Sequence, residues 1–236
     1  MTMAMRCILA WLSLALCAVA GSASAQAPLE LSGDATEAVL SPHVSYLHDA
    51  TAADRPEDAW RRVADGGFAP LPDGKDAFGF QRGAFWFHAT VLNRNASQTR
   101  WLLVQEYPLS DRLDLYLRYP DGRVEHMAGG DHLPFHARAV SYRHPNFQLE
   151  LPVAMPVELL LRVESESSMQ VPLHLYTPAA FTEISRDAQF AIGLYYGILL
   201  ALFFYNLVLW LSLRDASYFW YLCHITAFGL VLFTLN

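Results

Sequence analysis

Apolar positions change their period twice along the chain. Before about residue 84 no period holds: Pro, Gly, Asp and Ala are scattered among short apolar groups. This reads as edge strands and loops, with residues 58–63 as a turn or two of helix and residues 68–72 as an extended segment ending in a turn at Asp73-Gly74. From Phe85 the period is two, the mark of half-buried strands. Phe85, Phe87, Ala89 and Val91 fall on one face, with Trp86, His88, Thr90 and Leu92 on the other, until Asn93-Arg94-Asn95 turns the chain. Residues 101–105 are apolar enough for a strand covered on both sides. Leu113, Leu115 and Leu117 alternate with Asp114, Tyr116 and Arg118, and Pro120-Asp121-Gly122 then turns into residues 123–127, a hairpin. Residues 146–151, 157–164 and 169–176 supply three more strands. Short strands at this spacing, with Pro and Gly between them, predict a mainly β fold, a β-sandwich of jelly-roll type.

The second change comes at Thr177-Pro178, where Thr is a good N-cap and Pro suits the first helical position. A helix over residues 178–188 runs on into 189–213, a stretch of 25 residues without a charged side chain. At ~1.5 Å per residue it spans roughly 36 Å, enough for a ~30 Å hydrocarbon core with some tilt. Residues 214–217 form a short polar loop, and 218–236 hold a second apolar run, so the sandwich is followed by a transmembrane α-helical hairpin. Trp210, Tyr218 and Trp220 gather around the loop as interfacial aromatics do. Gly193, Gly197 and Ala201 recur every four residues as a small-residue stripe for helix packing, the bland alternative being that Gly is common in membrane helices. Asn206 is a polar group in hydrocarbon that calls for a partner on another helix, for instance His224.

The first 25 residues change where the sandwich lies. Arg6, an apolar run over 7–20 and Ala23-Ser24-Ala25 read as a secretory signal peptide cut after Ala25. An uncleaved anchor is the alternative, opposed by the short apolar core; bulky Leu16 argues against a lipoprotein site at Cys17. Residues 26–177 are then a periplasmic domain, the first span runs inward and the 214–217 loop is cytoplasmic. At 236 residues, 53% hydrophobic, the chain holds one medium soluble domain plus a little membrane and leaves no room for output machinery. Its net charge of −7 excludes a nucleic-acid binder, and removal of the leader, with one Arg and no acid, makes it −8. Cys7 and Cys17 belong to the leader and Cys223 to the second span, so the exported domain rests on its core and not on disulfides.

Several stretches together resemble one family: AFWFHATVLN, WLLVQEYPLSDRLDLYL, the GGDHLPFHAR loop, RVESESSMQVPLHLYT and GLYYGILLALFFYNLVLWLSLRDASYFWYLCHITAFGL, in order across residues 68–236. They are similar to bacterial seven-transmembrane receptors with diverse intracellular signalling modules. The tyrosine-asparagine of the first span, the leucine-arginine-aspartate loop and the aromatic-rich second span are the most specific part. The resemblance implies a periplasmic jelly-roll sensor like carbohydrate-binding modules, seven helices in the bacterial inner membrane, and an output such as a diguanylate cyclase or histidine kinase. With two spans, the chain is expected to be the front of a longer receptor or a truncated product. Its expected partners are the lipid bilayer, a small-molecule or carbohydrate ligand, further helices and an output domain, with room for a homodimer.

No catalytic signature is present: no G-x-S-x-G, P-loop, H-E-x-x-H or cysteine pair for zinc. Asp111, Asp114, Asp121 and Glu125 offer carboxylates for glycoside hydrolysis, but outward acids on strands are usually just solvated. His126, His132, His136 and His144 lie within 20 residues, yet Pro134 breaks the helical spacing that would aim two rings at one metal, so loop hydrogen bonding is expected and neither metal nor cofactor. Ligand binding suits the sandwich better. Strand parity puts Trp86, His88, Tyr116, Arg118, Arg162, His174 and Tyr176 opposite the core, where rings can stack on sugars and Arg or His can fix hydroxyls or a carboxylate. The alternative for Trp86 is a place in the core under a covering loop. The 129–138 loop, with His132 and Arg138, is a second candidate rim. Two other classes remain beside the receptor: a membrane-tethered enzyme on envelope polysaccharide, and a module that docks another membrane protein.

Overall fold

The computed structural model describes residues 26–72, 75–135 and 138–235. The expected leader, the expected turn at Asp73-Gly74, and His136 lie outside them. The alternating segments form two main sheets. The larger joins β1 (Leu29–Leu31), β3 (Ser45–Asp49), β4 (Ala69–Pro70), β6 (Ala84–Asn93), β8 (Arg112–Arg118), β9 (Val124–Gly129) and β11 (Pro156–Glu164) in the order β4-β3-β6-β11-β8-β9, with β1 parallel beside the end of β6. The smaller runs β10-β7-β13-β2, from β10 (Asn146–Glu150), β7 (Arg100–Gln105), β13 (Leu173–Tyr176) and β2 (Glu37–Val39). β5 (Ala77–Phe80) and β12 (Ser168–Gln170) pair by themselves. Apart from β1, every strand pairing within the sheets is antiparallel. The sheets are open rather than closed into a barrel.

One cluster of buried side chains joins the two sheets. It takes Phe85, Phe87, Ala89 and Val91 from β6, the leucines at 113, 115 and 117 from β8, and Leu159, Leu161 and Val163 from β11. Across from them stand Trp101, Leu103, Phe147, Leu149, Leu173 and Leu175. The period-two reading therefore holds residue by residue, since burying one face of each sheet is what alternation is for. Residues 169–176, expected as one strand, are two. Pro172 has no N–H to offer a ladder, so the chain leaves β5 after Gln170 and joins β7 from Leu173.

A helix not expected at this length, α1 (Pro56–Ala64), covers the outer face of the larger sheet. Its local signals are complete: Pro56 opens it, Glu57 and Asp58 stand in the first turn, Arg61 and Arg62 in the last, and Asp58 accepts from the N–H of Arg55 at 3.1 Å. Ala59 packs with Trp86 and Leu160, flanked by Trp60, Val63, Phe68 and Tyr116.

α2 (Pro178–Leu213) begins where the Thr177 hydroxyl accepts the N–H of Ala180 at 3.3 Å. At 36 residues, or ~54 Å, it is longer than a membrane span, so its first turns run along the sandwich. There Phe181 joins Leu102, Val104, Tyr142 and Tyr176 in a buried cluster. Tyr176 pairs with Leu102 in the sheet, and from that level the helix travels toward the Gln105 end of β7. The connector of residues 106–111 carries the chain from Gln105 to Arg112, so the same end of both sheets points the way α2 leaves. After Arg214, in the left-handed region at φ 56°, α3 (Ala216–Leu235) folds back on α2. Both helices are long and apolar enough to cross a membrane.

Asn206 is buried, together with Leu222 and Ile225 of α3, and its amide donates to the Leu202 carbonyl of its own helix at 2.8 Å. That backbone bond supplies a partner without recruiting another helix. Gly193 and Gly197 lie on a different face, where an added methyl group would meet nothing within 4 Å.

Candidate functional site

The end of the sandwich toward which α2 leaves holds a cleft of ≈ 580 Å³. Phe80 stands at its edge, 82% exposed, His132 lines the wall, and Arg82, Asp111, Arg112, Glu164 and Glu166 supply charge of both signs. Two glycines make this shape possible. Gly83 has φ 92°, and a Cβ there would lie 2.3 Å from the Asp49 carbonyl oxygen; Gly130 has φ 113°, with the same 2.3 Å clash against Asp111. The close approach at Gly130 lets the N–H groups of Asp131 and His132 bond the carbonyls of Ser110 and Asp111 at 2.9 and 3.2 Å.

The floor is pinned from below. The Gln105 amide donates to Ser110 Oγ at 2.7 Å and to the Gln170 carbonyl at 2.8 Å, while Ser165 and Ser167 donate to the Leu109 carbonyl. Asp111 accepts the N–H of Glu166, and Arg162 bonds Glu164 at 2.8 Å. Asp111, Asp131 and His132 bring one ligating atom each within 4.8 Å of one another, so a hard cation would need added water ligands there.

The residues singled out by strand parity are elsewhere and largely occupied. Trp86 is fully covered, beneath α1, and offers no surface for a sugar to stack on. His88 meets Trp60 and Phe68 edge-on, and burial holds its pKa below the ordinary value, so the ring is neutral there at pH 7. Arg118 lies 4.1 Å over the Trp60 ring and bonds Glu158 at 2.8 Å. Tyr116 stacks on His126 at 4.5 Å, and Arg162 lies over Trp86 while reaching the Ala52 carbonyl. These five share one face, yet they bind one another and α1.

His174 belongs to the other sheet, stacked on Tyr176, whose hydroxyl donates to Glu106 at 2.7 Å. Arg138 is spent on the carbonyls of Tyr142 and Arg143. The described histidines of the 126–144 stretch have separate settings: His126 on Asp114, His132 in the cleft, and His144 edge-on to Tyr142, where burial first and then Arg143 push its pKa down to about 4. Asp114, Asp121 and Glu125 are likewise engaged, with His126, the Arg123 N–H and Tyr119. Of the eight ligand candidates only His132 lines the cleft. Phe80, Arg82, Arg112, Glu164 and Glu166 were not singled out, although Gly79 and Gly83 bracketing an aromatic residue were a usable signal of a turn presenting a ring.

Two neighbouring family models match. One, described as 7TMR-DISM extracellular 2, covers residues 41–177, and one described as 7TM diverse intracellular signalling covers residues 188–236. A search of curated proteins finds no match. The first match is the two-sheet domain with its cleft and the second is the apolar hairpin, in the order expected of a membrane receptor with an extracellular sensor. Neither matched domain is itself catalytic, and a seven-helix region calls for helices beyond the two described. The chain belongs to the 7TMR-DISM family of membrane receptors.

Proposed function

We propose that residues 26–177 form a periplasmic sandwich of jelly-roll type that senses a small molecule or carbohydrate, and that α2 carries the change into a helix bundle. In this reading residues 1–25 are a cleaved leader, the receptor sits in the bacterial inner membrane, and the 214–217 loop is cytoplasmic. The Gly193-Gly197-Ala201 stripe, exposed and open at both glycines, packs against further helices that lead to an output module.

The observation that carries the reading is the cleft, in which an exposed aromatic ring stands beside Arg and carboxylate groups. A ring stacks on the apolar face of a sugar, and charged groups of both signs hold hydroxyls or a polar substituent. Its position supports the transmission step. The loop that supplies His132 also supplies Tyr142, which meets Phe181 of α2 at 5.1 Å between ring centres. A ligand that shifts the loop therefore presses on the helix within the same segment.

Calorimetric titration of the full chain in nanodiscs against a panel of monosaccharides, oligosaccharides and small polar metabolites tests this. At least one compound should bind, and Phe80→Ala should weaken it roughly tenfold. Silence across the panel, or an affinity indifferent to both Phe80→Ala and Arg112→Ala, would sink the proposal.

A further inference from the structure

The loop between β9 and β10 presents apolar side chains that the sandwich does not use. Leu133, Phe135 and Val140 are 38%, 53% and 36% exposed. Their outward aim is held by bonds made inside the loop. Asn146 accepts the N–H of Val140 at 2.7 Å and donates to the Val140 and His144 carbonyls, and the Arg138 guanidinium lies 4.8 Å over the Phe135 ring.

The height of this surface relative to the membrane follows from α2. Phe135, Ser141, Tyr142 and Arg143 share a groove with Ala188, Gln189 and Ile192. Those helix residues stand at the start of the charge-free run. The run is roughly 36 Å long against a hydrocarbon core of ~30 Å, so its first turn lies at the boundary where acyl chains begin. Arg186 and Asp187, the last charged residues before it, are exposed less than one turn away, at headgroup level. Phe135 stands at the same depth, beside an interface that α2 already makes with lipid.

The geometry points to a second membrane contact: Leu133, Phe135 and Val140 rest in the interfacial layer of the bilayer that α2 crosses. Amphipathic surfaces bury their apolar side ~5–10 Å into this layer. With one rigid helix and one loop both held at the membrane, the sandwich keeps a fixed tilt, and the cleft beside His132 faces the lipid surface. The contact is continuous with the span of α2 and does not depend on what the cleft binds.

Depth-dependent quenching in nanodiscs tests it. An environment-sensitive NBD label is placed on Phe135→Cys or, separately, Leu133→Cys, in the full chain with Cys7, Cys17 and Cys223 replaced by Ser. Val124→Cys is the reference, an exposed site at the far end of β9, about 17 Å along the strand from Gly129, where the loop begins. Labels at 135 and 133 should emit to the blue of the label at 124, and lipids with a nitroxide near the headgroup should quench them more than lipids with a nitroxide deep in the chain. Emission and quenching equal to those at Val124 would overturn the proposal. So would a blue shift without lipid quenching, which would place a protein neighbour on this surface instead.

Discussion

The covered face of the larger sheet and the cleft at its end are built from the same kinds of residue and behave in opposite ways. Under α1, Trp86, His88, Tyr116, Arg118 and Arg162 stack, bond and bury one another, so the ring-plus-arginine chemistry that suits a ligand is used to hold a helix. At the end of the sheets, Phe80 and the charges around it come from turns and strand ends, and the ring stays open to solvent. A polar or aromatic residue opposite the core is therefore not evidence of a site until its own face is known to be open. What distinguishes the two places is coverage.

The largest expected effect tests the covered face. Trp86→Ala should cost about 3–5 kcal/mol in unfolding of the full chain, as loss of a fully buried ring does. A variant that keeps its stability but loses ligand would reverse the assignment of the two faces. Next comes the junction with α2. Phe181→Ala should remove roughly 3 kcal/mol locally. Hydrogen exchange should show the first turns of α2 losing protection while β6 and β11 keep theirs, and uniform destabilisation would mean that helix and sheets are not separable.

A smaller effect concerns acid. His144 is neutral in the folded state, with a pKa of about 4 against an ordinary 6.5, and His88 is shifted the same way. The folded form thus takes up fewer protons than the unfolded one. The stability this provides is complete above about pH 6.5 and falls away as the pH drops toward 4. His144→Gln should flatten that part of the pH profile, and an unchanged profile would assign the acid sensitivity to other groups. The smallest effect belongs to the cleft: Phe80→Ala should change unfolding by no more than about 0.5 kcal/mol. A clear loss of stability would make Phe80 part of the fold and weaken the comparison.

Much of the fold was legible in the residues because its signals are local. The alternation in 85–91, 113–117 and 159–163 assigned core-facing side chains correctly, and Thr177-Pro178 marked the start of α2. The break at Pro172 and the full length of α1 had local signs as well, Pro56 and the charge order of its turns among them. The candidate site was far less legible. His132 was found, but Phe80, Arg112 and Glu166 come from segments separated by tens of residues, and no period relates them.

The sequence by itself determined which residues alternate, where the charge-free helices lie and which receptor family the chain resembles, because periodicity and run length depend only on near neighbours. Only the tertiary structure decided that α1 closes the second face over Trp86, that four separate segments meet in one cleft, and that a loop after β9 stands beside the first turn of the membrane span. Those outcomes depend on contacts between distant parts of the chain, which no local pattern records.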